Sequence, residues 1–130
     1  MSRDYQRKLN NKYRLPREVY HLTLWQIRDY DRMKDEADAI LEESPPPPDG
    51  QPKGQKQGDE VASKAARREE YLRKTRAIED ALDLVPPEYR RGVWKSVVYY
   101  DPFPIDAARS TYAMWKSRFV YECAYKLGIM

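Results

Sequence analysis

One cysteine, one histidine and five glycines in 130 residues leave little for most site chemistries to work with. A lone Cys123 permits no intrachain disulfide. With His21 as the only histidine, no Cys/His zinc set can be assembled. Cys123 lies within an apolar helical pattern with no base paired to it, so it reads as a buried structural thiol. His21 reads as an ordinary helix-surface or packing residue. There is no phosphate-binding glycine loop, no HExxH and no Gly-x-Ser-x-Gly. Adjacent carboxylates such as Glu42-Glu43, Glu69-Glu70 and Glu79-Asp80 do not face each other on a helix and make poor acid–base pairs. The Glu-x-x-His pairs of an interhelical carboxylate metal site are missing too. These absences argue against an enzyme and against a bound cofactor. No apolar run approaches the length of a membrane span, and the N-terminus lacks the apolar stretch of a secretion signal. The expectation is a cytoplasmic protein with no membrane partner.

Charge is plentiful: 35% of the residues are charged and the net is only +3. Its distribution carries more than its sum. Residues 1–17 hold Arg3, Arg7, Lys8, Lys12, Arg14 and Arg17 against Asp4 alone. Residues 18–86 are net acidic, and residues 87–130 turn basic again. Two basic ends around an acidic middle can attract a polyanion such as nucleic acid; a solvated surface without a partner is the plainer account of the same pattern.

Residues 1–14 read as a flexible basic arm. Leu15-Pro16 starts a helix, because proline fits the first turn, where its missing N–H costs nothing. Tyr20, Leu24, Ile27, Tyr30, Met33, Ala37 and Ile40 then recur at steps of three and four, which predicts one long helix over 15–43. The segment SPPPPDGQPKGQKQG, 44–58, reads as a Pro/Gly-rich linker long enough to reverse the chain. A second long helix is predicted over 59–85, with Asp59-Glu60 at its start and a seam of Tyr71, Thr75, Ile78, Leu82 and Val85. The two helices form an antiparallel hairpin that closes either within the chain or as a homodimer.

Pro86-Pro87 open a third helix with Tyr89, Val93, Val97 and Tyr100 as its inner face and Trp94 beside them. Asp101-Pro102-Phe103-Pro104 breaks it. A fourth helix follows, with Asp106 or Ser110 as its cap, Tyr112, Trp115, Phe119, Cys123 and Leu127 along one side, and Gly128 as its stop. Residues 86–130 thus have the layout of a helix-turn-helix, and no strand is expected. In such proteins the first turns of the second helix meet base edges and the flanks meet phosphates. Here those turns carry Arg109, Ser110, Thr111 and Tyr112, followed by Lys116 and Arg118, with Arg90 and Arg91 placed to flank them. Arginine pairs with guanine, and Ser or Thr reaches phosphates or base edges. Trp115 and Phe119 read as core.

The order of parts resembles the RinA/ArpU-like late-gene transcription regulators of phages and prophages, whose C-terminal part is similar to the DNA-binding end of sigma factors. The resemblance rests on the PPEYR start at Pro86–Arg90 and on TYAMWKSRFVYECAYKLGI from Thr111 to Ile129. It covers about a third of the chain in motif and the rest in layout. The chain departs from that pattern between Asp101 and Asp106, where a proline-rich break stands in place of a scaffold helix. The resemblance implies a DNA-binding transcription regulator with double-stranded DNA as partner, and a hairpin that dimerises or touches RNA polymerase. The alternatives are a small-terminase-like packaging or structural adaptor, and a helical protein-interaction module without nucleic acid.

Overall fold

The computed structural model describes residues 4–7, 11–42 and 55–130. These residues are all-helical in their regular structure and form five helices: α1 (Arg17–Arg28), α2 (Tyr30–Glu42), α3 (Gln55–Asp83), α4 (Pro87–Tyr99) and α5 (Arg109–Lys126). Among the described residues there is no strand.

The apolar stripe expected of a single helix over 15–43 is buried at Tyr20, Leu24, Ile27, Met33, Ala37 and Ile40, and half-buried at Tyr30. The helix itself is interrupted at Asp29, whose ψ of 0° leaves the helical range. Aspartate is a weak helix former because its carboxylate competes for nearby donors. Here Arg32 holds that carboxylate through two hydrogen bonds of 2.6 and 2.7 Å. The interruption frees α1 and α2 to pack on different partners.

α2 and α3 form the antiparallel hairpin. The Tyr30 hydroxyl, at the start of α2, donates to Glu79 at 2.6 Å, and the Arg32 guanidinium lies 5.8 Å from the Tyr71 ring. Within this hairpin Met33, Ala37 and Ile40 of α2 and Thr75 and Ile78 of α3 are buried. Of the linker predicted over 44–58, residues 44–54 lie outside the described residues, and the remainder belongs to α3, which begins at Gln55.

α5 runs through the centre of the molecule, in contact with α1, α3 and α4. Its Tyr112, Phe119, Val120, Cys123 and Ala124 join Leu24, Ile27, Ile78, Ala81, Val85, Val93 and Val97 in one core. Burying each of the larger aliphatic side chains stabilises the fold by about 1.5–3 kcal/mol. Burial also pushes the Cys123 thiol well above its ordinary range, as suits a packing residue rather than a nucleophile.

Pro16, Pro86, Pro87 and Gly128 stand at helix ends. Pro16 and Pro86 precede α1 and α4, and Pro87 is the first residue of α4. Gly128, with φ +77°, turns the chain after α5, and Ile129 N–H bonds back to the Ala124 carbonyl at 2.9 Å. The caps of α5 differ from expectation. The helix starts at Arg109 behind Ala108, with no side-chain cap. Asp106 instead accepts a 2.6 Å hydrogen bond from the Tyr112 hydroxyl, and Ser110 already lies inside the first turn. Tyr100 is not on the inner face of α4; it ends the helix in the left-handed region, with φ 60°.

Gly92 is where α4 lets the 101–108 connection close over α5. A β-carbon there would lie 2.7 Å from Tyr112 Cε1 and 2.8 Å from Pro104 Cδ. The Tyr112 ring has no room to yield, being stacked on Phe103 and edge-on to Tyr89. Overpacking of about 2–3 kcal/mol outweighs the gain of about 1 kcal/mol in helix propensity. Gly92→Ala is therefore expected to cost about 1–2 kcal/mol in urea unfolding, and a stabilised variant would show that the ring and Pro104 give way.

A candidate nucleic-acid interface

The described parts of the N-terminal arm are pinned rather than loose. Gln6 and Leu15 exchange two hydrogen bonds, 2.8 Å from Gln6 Nε2 to the Leu15 carbonyl and 2.7 Å from the Leu15 N–H to Gln6 Oε1. Asp4 pairs with Arg28 at 2.6 Å. Further along, Asn11 donates to Ser117 on α5 at 3.4 Å, and the Tyr13 and Tyr121 rings meet edge-on at 5.4 Å. The consequence is electrostatic. The basic arm lies against the basic half of α5, although about a hundred residues separate them in sequence.

Two adjoining depressions result, both bordered by Arg7 and Ser117. The larger is a cleft of about 950 Å³ between the arm, the 100–107 connection and the start of α5. Arg7, Arg109 and Lys116 line it against Asp101 alone, and Tyr5, Tyr20, Tyr100 and Phe103 form much of its wall. The second, about 630 Å³, has Arg7, Lys12 and Arg118 with no carboxylate on its rim.

The cations are held in ways that favour an incoming anion. Lys116 is half-buried. Burial of the ammonium and the nearby Arg28 hold it below the ordinary lysine range, against a smaller opposing pull from Asp4. The Arg118 guanidinium sits over the Tyr13 and Trp115 rings at 5.6 and 6.0 Å. Its Nε is buried without a hydrogen-bond partner among the described residues. The first turn of α5 contains no acidic residue and begins with Arg109. A cation there opposes the helix dipole, whereas an anion is favoured.

The structure sorts the residues singled out from sequence. Arg109 and Lys116 share the cleft, and Arg118 joins the same face from the neighbouring depression. Ser110 is exposed and Thr111 half-buried on the first turn. Tyr112 is corrected: it is 1% exposed, its hydroxyl is spent on Asp106, and that bond pushes its pKa up to about 12. It cannot reach a base edge.

Arg90 is corrected as well. Its Nε and Nη2 donate to the carbonyls of Val85 and Asp83 at 2.7 and 2.9 Å, closing the C-terminal end of α3. Arg91 is exposed but borders neither depression. Replacing Arg90 with alanine is expected to cost about 1–2 kcal/mol of stability, the worth of charge-assisted bonds to otherwise open carbonyls. Nucleic-acid affinity measured well below the melting point should not change; a loss without destabilisation would return Arg90 to the interface.

Sequence reasoning missed Arg7, Lys12, Tyr5 and Tyr100 as site residues. The basic arm was visible in the charge distribution, but nothing local indicated that it would dock on α5. Among the described residues no cluster of His, Cys, Asp and Glu could hold a metal ion, and no helix is long and apolar enough to cross a membrane. Compared with models of protein families, with curated proteins and with solved structures, the chain shows no significant match.

Proposed function

We propose that the protein binds double-stranded DNA through the basic face made by its arm and the first half of α5, and acts as a transcription regulator of the phage type to which its C-terminal motifs are similar. The observation that carries this reading is the convergence of Arg7, Lys12, Arg109, Lys116 and Arg118 on one face with little opposing charge. Binding is through phosphates in the main. α5 is enclosed by α1, α3 and α4, which leaves Arg109, Ser110, Ala113 and Met114 near its open end and no full helix face to lay in a major groove. Titration of a labelled duplex at low salt, followed by fluorescence anisotropy, tests the proposal, and failure to bind there would sink it.

A second reading has its own observation. Leu22 and Trp25, one turn apart on α1, are 53% and 72% exposed. Such a pair suits contact with another protein, whether a second copy of the chain or RNA polymerase. Light scattering before and after Trp25→Ala distinguishes a dimer from a monomer.

A further inference from the structure

The larger cleft is more than a cationic surface, because its walls are aromatic. Tyr5 and Tyr100, which border it, are 64% and 42% exposed. Phe103 also lines it, with one ring face already covered by Tyr112 at 5.4 Å and 15°. The Arg28 guanidinium lies 4.5 Å from the centre of the Tyr100 ring. Duplex DNA presents its phosphates outward and keeps its bases stacked inside, so it has no use for aromatic walls set back from the surface. A single strand has use for both halves of this site: cations follow its backbone, and aromatic rings take the faces of bases that have left a stack. The cleft's 950 Å³ falls within the range of sites that enclose small aromatic ligands.

We propose that this cleft receives an unpaired nucleotide of a nucleic-acid strand, with its base against Tyr100 and Tyr5 and its phosphate at Lys116, Arg109 and Arg7. The proposal rests on the nucleic-acid reading above and sharpens it. The strand is held where it is single, and duplex flanks are held by the outer cations Lys12 and Arg118. Half-buried Lys116 lines the cleft and is the natural phosphate partner, since the loss of water from its ammonium outweighs the pull of Asp4.

The test compares a fluorescein-labelled oligo-dT strand with a duplex of equal length, by anisotropy, on the full chain and two variants. Tyr100→Asn removes a ring while keeping a residue type that tolerates the left-handed backbone at that position. Tyr5→Ala acts on an exposed arm residue. Each is expected to weaken single-strand binding roughly tenfold, the loss of one stacked base, while duplex affinity stays within about twofold. Free dTMP should displace the strand at lower concentration than inorganic phosphate or a phosphotyrosine peptide.

Equal loss for strand and duplex, or no loss for either, overturns the cleft proposal and leaves duplex binding standing. Equal competition by inorganic phosphate reduces the cleft to an anion site and overturns it too, as does preference for the phosphopeptide. If neither strand nor duplex binds the unaltered chain, the nucleic-acid reading falls and the cleft proposal with it.

Discussion

Raising the salt from 50 to 200 mM is expected to weaken duplex binding roughly a hundredfold. Each phosphate neutralised by a lysine or arginine releases condensed counterions, and the logarithm of affinity falls with that of salt by about 0.9 per contact. The face offers Arg7, Lys12, Arg109, Lys116 and Arg118. With Lys116 set back in the cleft, about four contacts at once is a reasonable number, and a fourfold rise in salt then costs on the order of 10² in affinity. Removing Arg109 and Lys12, both exposed and outside the core, should cut the slope by about two and leave the melting temperature unchanged. Arg91→Ala, at an exposed position bordering neither depression, serves as the control. A binding constant indifferent to salt, or a slope unchanged in the double variant, would place the contact elsewhere.

The helices were legible because their stripes are local. Steps of three and four from Tyr20 to Ile40 name residues that are buried, save the half-buried Tyr30, and the α5 series is buried at Tyr112, Phe119, Cys123 and Leu127, with Trp115 only half-buried. What was not legible depended on choices made between distant groups. Tyr112 and Arg109 share one turn of α5, and sequence offered both to the DNA. Phe103, Tyr89 and Asp106 together claim the tyrosine, and nothing in the spacing foretells that three-sided grip. Arg90 looked like a phosphate contact because a cation beside a helix start has no local partner in sequence. Its partners are the carbonyls of Asp83, the last residue of the preceding helix, and of Val85 in the turn that follows it. The interruption at Asp29 preserves the stripe exactly where a pattern search would look, so periodicity is blind to it.

The arm supplies the largest difference between sequence and structure, and it alters the functional argument. Read alone, a basic tail beside a basic helix-turn-helix layout suggests a recognition helix with a loose accessory arm. Folded, the arm is part of the wall: Tyr20 donates to the Tyr5 carbonyl at 3.3 Å, and Asp4 is drawn in by Arg28. The 101–108 connection, which departs from the sigma-like pattern, forms the opposite wall with Pro102, Phe103 and Pro104. The proline-rich break therefore supplies one wall of a cleft. That cleft is the physical reason to expect phosphate-driven binding with a preference for unpaired strand, in place of base readout by α5.

Phe119→Ala is expected to remove about 3–5 kcal/mol of stability. Phe119 is fully buried on the central helix, and the Trp94 ring meets it edge-on at 6.3 Å. Its neighbours in the core come from every helix that touches α5, so no single element can slide in to fill the space. Trp94 is itself tied to Tyr30 at 5.1 Å, and Tyr30 to Glu79, which fixes the ring from α2 and α3. The cavity term accordingly stays near the upper part of its range. A domain of this size has a total of about 5–15 kcal/mol to lose. The melting temperature should fall by roughly 10–20 °C, while Trp25→Ala at an exposed position moves it little. Duplex affinity at low temperature should survive in whatever fraction remains folded, because no residue of the basic face packs through Phe119 alone. A loss below about 1 kcal/mol would mean that α5 is not the centre of the fold, and the cleft built on its first turns would lose its support.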